Sequence, residues 1–250
     1  MILRIDGKQI EAKKWDTILS AAKRNGISIP SLCHHDALEN VGACRLCVVE
    51  VKTSSNGERK LVTACEYKVA PHIEVFTHSE AVRRSRQTTL DLLLARAPEN
   101  KLLLDLSREN GVESTSYSTS PDANECILCY LCTRACEKMG CNAISAVGRG
   151  QGKSIQPPFL TVPDACVGCG SCAAICPTGF IEMIDMPSKR VIWGKEFERA
   201  KCESCGAPLI PVAYREWAIA NRELPEDYYL QCQECKRKEL ASKFSGLGVS

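Results

Sequence analysis

Residues 125–136 read ECILCYLCTRAC, and residues 165–179 read ACVGCGSCAAICPTG. Both stretches hold the spacing C-x2-C-x2-C-x3-C. Cys126, Cys129, Cys132 and Cys136 form the first set. Cys166, Cys169, Cys172 and Cys176 form the second, with Pro177 directly after it. Thiolates repeated at such short intervals converge on iron–sulfur clusters or on zinc. Outward from this pair lie two more sets: Cys33, Cys44, Cys47 and Cys65 on the N-terminal side, and Cys202, Cys205, Cys232 and Cys235 on the C-terminal side. Of the 17 cysteines only Cys141 stands outside these groups. Its plainest reading is a small buried hydrophobe; an alternative ligand or a redox sensor is the other.

So much cysteine has a rival reading, a secreted disulfide scaffold. Such scaffolds are usually shorter, carry a signal peptide and have no reason to repeat a C-x-x-C unit. The opening MILRIDGKQI has neither the long apolar run nor the cleavage site of a signal peptide. No stretch reaches the roughly eighteen apolar residues of a membrane-spanning helix. The expectation is a reducing, cytoplasmic setting. A formal charge of +2 points neither to nucleic acid nor to an anionic membrane. With 250 residues, 44% of them hydrophobic, two or three small domains are expected. Bound metal would staple the loop-rich parts.

The two central runs resemble bacterial two-cluster ferredoxins. That resemblance implies crossed ligation, in which the fourth cysteine of each run serves the other cluster. One [4Fe-4S] cluster would then use Cys126, Cys129, Cys132 and Cys176. The other would use Cys166, Cys169, Cys172 and Cys136. Glu137 stands where the first run would carry a proline. The interval from Cys136 to Cys166 is longer than in a small ferredoxin. It resembles the corresponding segment of complex I and hydrogenase relay subunits.

The N-terminal part reads as a small β-grasp domain. Residues 2–5 form a strand, Asp6-Gly7 a hairpin turn, and residues 8–12 the return strand. Asp16 is the expected helix cap, Ile18, Leu19 and Ala22 the apolar face, and Gly26 the stop. Later strands are expected near residues 48–51, 61–63 and 73–76. The run GACRLCVVEV (residues 42–51) resembles the [2Fe-2S] domain of the large iron–sulfur subunit of respiratory complex I. The same domain occurs in NAD-linked and electron-bifurcating hydrogenases. The resemblance implies a [2Fe-2S] cluster on Cys33, Cys44, Cys47 and Cys65, with Gly42 and Ala43 letting the backbone approach the inorganic sulfides. Four cysteines suffice, so His34 and His35 are read as loop residues rather than Rieske-type ligands.

Residues 79–96 read as a helix with Val82, Leu90, Leu93 and Leu94 on its apolar side and Arg83, Arg84 and Arg86 on a solvated one. Relatives in this family often continue with one histidine and three cysteines holding a further [4Fe-4S] cluster. Here Ala97, Lys101 and Leu104 stand at the first three of those positions. That cluster is expected to be absent, its helical surroundings kept.

In the tail, CESCG and CQECK form two C-x2-C knuckles, with Gly206 turning the first. A helix is expected over residues 212–222 and a loop at LPEDYY. Cys202, Cys205, Cys232 and Cys235 suit tetrahedral zinc, and the same four thiolates admit a fourth iron–sulfur cluster. The tail resembles the one following ferredoxin-like subunits of formate-hydrogenlyase and related hydrogenases.

The predicted fold class is α+β: a β-grasp [2Fe-2S] ferredoxin domain (1–78), a helical linker (79–120), a tandem [4Fe-4S] ferredoxin-like domain (121–190) and a small zinc-ribbon-like tail (195–240). The resemblance implies an electron-relay subunit. It would pass single electrons between a flavin- and NAD-binding subunit and a catalytic subunit, in the first instance of an NAD-linked or bifurcating [NiFe] hydrogenase. A relay in a formate dehydrogenase or other NADH-linked oxidoreductase, or a free polyferredoxin carrier, is the alternative. No catalytic residue is expected: neither G-x-G-x-x-G nor a P-loop is present.

Overall fold

The computed structural model describes residues 1–53, 57–119 and 125–245. In the stretch rich in serine and threonine over 113–124, residues 120–124 lie outside the described residues. The chain divides into two compact units. The first comprises residues 1–135, 146–155 and 175–180, and the second residues 136–145, 156–174 and 181–250.

The first unit is built on a five-stranded β-grasp sheet. Its strands are β1 (Ile2–Ile5), β2 (Lys8–Glu11), β3 (Val48–Lys52), β4 (Arg59–Thr63) and β5 (Glu74–Phe76), in the order β2-β1-β5-β3-β4. β1 and β5 are parallel, and the other pairings are antiparallel. Asp6 and Gly7 both adopt left-handed backbone (φ 48° and 78°), the requirement of a two-residue hairpin turn. The Asp6 carboxylate accepts from the Thr77 amide at 2.8 Å, which ties that turn to the end of β5. Leu3, Ile5, Val49, Val51 and Val75 alternate inward along the strands and meet α1 (Ile18–Arg24) through Ile18, Leu19, Ala21 and Ala22.

The α1 cap differs from expectation. Thr17, not Asp16, takes the extended N-cap conformation, and its Oγ1 accepts from the Ser20 amide at 3.2 Å. The Ser20 hydroxyl accepts in turn from the Thr17 amide at 2.9 Å, completing a capping box. Asp16 lies one residue too early. It accepts from the Lys13 amide and pairs with the Arg24 guanidinium, which holds its carboxyl below the usual carboxylate range.

Helices α2 (Glu80–Arg96) and α3 (Lys101–Glu109) are capped by Ser79 and Asn100. α2 packs on β3 and on α3. Its buried stripe is Val82, Arg86, Leu90 and Leu94, a run of i, i+4 neighbours. Arg86 therefore departs from the solvated face expected of it: it is 4% exposed, and its Nη2 donates to the Val48 carbonyl at 3.0 Å. Arg83 and Arg84 are exposed. The helical surroundings expected beyond residue 96 are present as α3. Ala97 is fully buried, Leu104 packs against the same apolar core, and Lys101 is exposed.

Helix α4 (Leu131–Lys138) follows, and β6 (Ser145–Val147) pairs with β7 (Ser154–Gln156). Further on come α5 (Ser171–Ala174) and an antiparallel sheet in the order β11-β10-β9-β8, made of β8 (Met183–Asp185), β9 (Lys189–Ile192), β10 (Lys195–Lys201) and β11 (Pro208–Pro211). This sheet was not expected from the sequence; its β9–β10 turn is the two residues Trp193 and Gly194, both with left-handed backbone. Helix α6 (Val212–Asn221) matches the expected tail helix. LPEDYY holds a short 3-10 turn at Glu226–Tyr229, and α7 (Gln233–Ser245) follows. Among the described residues no helix is long and apolar enough to cross a membrane.

Leu90 is fully buried in a core that also contains Cys33, Cys44 and Cys129. Leu90→Ala is expected to cost about 2–5 kcal/mol. Chemical denaturation followed by far-ultraviolet circular dichroism checks this.

Candidate iron–sulfur and metal sites

All seventeen cysteines carry free thiols. Cys33 and Cys44 sit in the loop after α1, Cys47 immediately precedes β3, and Cys65 follows β4. The register Val48↔Thr63 brings Cys47 and Cys65 to the same end of the strand pair. The first amides of α1 fix the Cys65 loop from the other side: Leu19 donates to the Ala64 carbonyl at 2.8 Å and Ile18 to the Tyr67 carbonyl at 3.0 Å. The four thiols are nearly inaccessible and bond one another. Cys44 and Cys65 donate to Cys33, which lowers the Cys33 thiol far below its ordinary range and raises theirs. Backbone amides also point at sulfur, from Leu32 to Cys44 Sγ and from Cys44 to Cys33 Sγ, each at 3.4 Å.

The surroundings fit an anionic group here. The Nε of buried Arg86 has no hydrogen-bond partner, and the guanidinium lies in the field of Cys47. Burial lowers its pKa, and the negative thiolate opposes that. A buried cation needs such a counter-charge. Gly42 has φ 56°, and a Cβ there would come within 2.0 Å of Glu66 Oε2. The left-handed backbone is what favours glycine here, since the Glu66 carboxylate could swing aside. The imidazole of His34 is held by Asn40 at 2.7 Å and Asp36 at 3.1 Å, and His35 Nδ1 accepts from the Ala37 amide.

Cys126, Cys129 and Cys132 are buried and Cys176 is half-buried, all four within the first unit. Leu128 and Tyr130 adopt left-handed backbone, with φ of 52° and 60°. The amides of Leu128 and Leu131 point at Cys126 and Cys129 respectively. Burial pushes the Cys129 thiol up to about 11, and the field of Cys33 adds to the rise. Sequence reasoning passed over the residues that hold these loops. Arg134 donates from Nη2 to the carbonyls of Cys33 at 2.7 Å and Cys129 at 3.4 Å, from Nε to Tyr130, and from Nη1 to Glu39. Arg96 Nε donates to the Cys126 carbonyl at 2.8 Å, and Asn100 Nδ2 to the Thr178 carbonyl at 3.0 Å.

In the second unit Cys136, Cys166, Cys169 and Cys172 line a small, mostly apolar cavity together with Cys141 and Trp193. The Ala143 amide donates to Cys136 Sγ at 3.2 Å. Gly168 and Gly170 have φ of 67° and 80°; a Cβ on either would strike the Phe197 ring or Met183 Sδ at 2.6 Å. Five thiols around one cavity, with glycine backbone on its wall, fit a thiolate-bound cluster. Cys141 is buried as expected. Burial pushes its thiol up to about 11, and the fields of Cys136, Cys169 and Cys166 add to the effect.

In the tail the Sγ atoms of Cys202, Cys205, Cys232 and Cys235 all lie within 4.8 Å of one another, with Cys205 and Cys232 3.7 Å apart. Gly206 (φ 72°) turns the first knuckle. The Cys232 amide donates to Cys202 Sγ at 3.3 Å and the Cys235 amide to Cys232 Sγ at 3.4 Å. These four residues can hold a single metal ion.

Comparison with known proteins agrees with this geometry. Residues 1–80 match the 2Fe-2S iron-sulfur cluster binding domain, and residues 120–186 match the 4Fe-4S dicluster domain. The chain is 36% identical over 211 residues to the NADPH-Fe(3+) oxidoreductase subunit alpha of Geobacter sulfurreducens, an alignment covering 75% of this chain and 24% of that protein. It is 33% identical over 210 residues to the NADP-reducing hydrogenase subunit HndD of Solidesulfovibrio fructosivorans, covering 72% and 35% respectively. The chain thus spans about a quarter to a third of the length of these relatives. A chain in the crystal structure of an NAD+-reducing [NiFe]-hydrogenase in the H2-reduced state superposes with a TM-score of 0.56 at 30% identity, over 63% of this chain and 74% of that one. An N-terminal ferredoxin-like sheet, a dicluster domain and these relatives place the chain in one family: it belongs to the iron–sulfur proteins that join a [2Fe-2S] domain to a [4Fe-4S] dicluster domain, related to NAD-linked hydrogenases and to the N-terminal part of the complex I large subunit.

Proposed function

We propose that this chain is the electron-relay subunit of a multisubunit oxidoreductase, passing single electrons between a flavin/NAD(H) subunit and a catalytic subunit, most directly that of an NAD-linked or bifurcating [NiFe] hydrogenase. Cys33, Cys44, Cys47 and Cys65 hold a [2Fe-2S] cluster. Cys126, Cys129, Cys132 and Cys176 hold one [4Fe-4S] cluster, and Cys166, Cys169, Cys172 and Cys136 the other. When bound, these groups supply reversible one-electron transfer. Residues 1–78, 79–120, 121–190 and 195–240 act as the [2Fe-2S] domain, the helical linker, the tandem cluster domain and the four-cysteine tail. A reducing cytoplasmic setting belongs to the same reading.

One observation carries it. Cys33 and Cys44 share a single apolar core with Cys129, and Arg134 clamps the carbonyls of Cys33 and Cys129 together. Two ligand sets are thereby held as neighbours by packing and by one fork of hydrogen bonds. The compact units support the crossed assignment as well. Cys176 falls in the first unit with Cys126, Cys129 and Cys132, while Cys136 falls in the second with Cys166, Cys169 and Cys172. The buried thiols and the arginines around them exclude water and favour the charge that bound clusters carry.

For the tail, geometry favours zinc. Four thiolates about 2.3 Å from one zinc ion stand about 3.8 Å apart. The Cys205–Cys232 separation of 3.7 Å matches that edge.

Three outcomes are expected. Anaerobically purified protein should contain about ten irons and one zinc per chain by elemental analysis; about fourteen irons without zinc would assign the tail to a fourth cluster. Copurification should recover a flavoprotein and a hydrogenase-type catalytic subunit, and an isolated chain of 27.5 kDa would favour a free carrier. Arg134→Ala should lower stability by about 1–3 kcal/mol and slow electron equilibration between the [2Fe-2S] and first [4Fe-4S] signals in rapid-freeze electron paramagnetic resonance.

A further inference from the structure

The C-terminal sheet grips the loop that carries three of the second-cluster cysteines. Arg190 on β9 donates from Nη1 to the carbonyls of Gly168 and Cys169, at 3.1 and 3.2 Å. Asp185 on β8 accepts from the same guanidinium at 2.6 and 2.9 Å and holds it in place. The ring of Phe197 on β10 occupies the space a Gly168 side chain would fill, and Met183 on β8 does the same at Gly170. At the β9–β10 turn Trp193 takes a left-handed backbone (φ 54°) with Gly194 (φ 75°). This tight turn directs the indole into the cavity lined by Cys172. The indole Nε1 is buried, and Trp193 and Cys172 line the same cavity.

We infer that the β9–β10 hairpin of the tail is a tuning element for the second [4Fe-4S] site, with Trp193 as a positioning residue whose indole N–H donates to Cys172 Sγ. This rests on the ligand set proposed above. Donation to a cluster sulfur stabilises the more negative, reduced form and so raises the reduction potential. Arg190, its charge paired with Asp185, holds the loop by its two donated hydrogen bonds. β10 runs directly into Cys202, the first thiol of the tail set. The metal that staples the tail therefore also anchors the hairpin that presents Trp193.

The test is potentiometric electron paramagnetic resonance on the full chain, comparing wild type with Trp193→Phe, which keeps an aromatic ring and removes the donor. The second [4Fe-4S] signal should titrate at a lower potential by about tenfold in the one-electron equilibrium constant, or about 59 mV. The [2Fe-2S] signal should stay where it is. An unchanged second-cluster potential would overturn the inference and leave the relay assignment intact. If Trp193→Phe loses the second cluster, wild-type protein labelled with [15N-indole]tryptophan decides the matter. Electron–nuclear double resonance should show a 15N coupling on that cluster, retained in Trp217→Phe. Absence of the coupling refutes the donor. Absence of any second [4Fe-4S] signal in wild type, with about six irons instead of ten, would instead refute the ligand set.

Discussion

Mutual repulsion among converging thiolates is the constraint that organises this chain. Four such groups in a low-dielectric interior cannot all ionise unless positive charge or directed N–H groups lie beside them. The protein supplies both. The Cys44 amide points at Cys33 Sγ and the Leu32 amide at Cys44 Sγ, while Arg86 is buried in the field of Cys47. In the tail the amides of Cys232 and Cys235 do the same work with little burial around them. The two settings differ in consequence. Of the N-terminal thiols, Cys47 and Cys65 rest in the core made with Leu3, Ile5, Val49 and α1, and Cys33 and Cys44 in the core that holds Leu90 and Leu94. Of the tail thiols only Cys202 is buried, so there bound metal would supply much of the folding energy itself.

Sequence disclosed the parts governed by short-range rules. The Asp6-Gly7 hairpin, the β-grasp strands and the 79–96 helix all follow from spacing and turn chemistry. Errors arose where the deciding interaction was not local. Asp16 and Thr17 are both acceptable caps, and the choice between them is made by the Ser20 hydroxyl and by an Arg24 that draws Asp16 away. Arg86 reads as surface because arginine usually is. Its position four residues from both Val82 and Leu90 places it on the buried stripe, and periodicity alone could have flagged it. Arg134 and Arg96 carry no sequence signal, since what they bind is distant backbone carbonyl.

Nor was the C-terminal sheet anticipated, and the reason is physical. Its strands β8 and β9 are short, and β10 reads KEFERAK, a sequence rich in charge. They are stabilised less by a core of their own than by what they cover, the glycine-lined loop at Gly168 and Gly170. A sheet whose apolar face is matched to a cluster-binding loop shows little hydrophobic periodicity when read alone.

The helical linker makes the same point from the opposite side. A residue that cannot ligate leaves a void unless something fills it. Ala97 is fully buried among Leu90, Leu94 and Leu103, and Leu104 packs on the same core, so leucine occupies the interior of this segment. The segment keeps a part in the site through its polar ends. Arg96, the last residue of α2, holds the Cys126 carbonyl, and Asn100, the cap of α3, holds the Thr178 carbonyl two residues beyond Cys176. The loops that carry Cys126 and Cys176 are thus both pinned to one helix–turn–helix. Rigidity of this kind lowers the rearrangement that accompanies each change of charge, which is what a site passing single electrons requires of the protein around it.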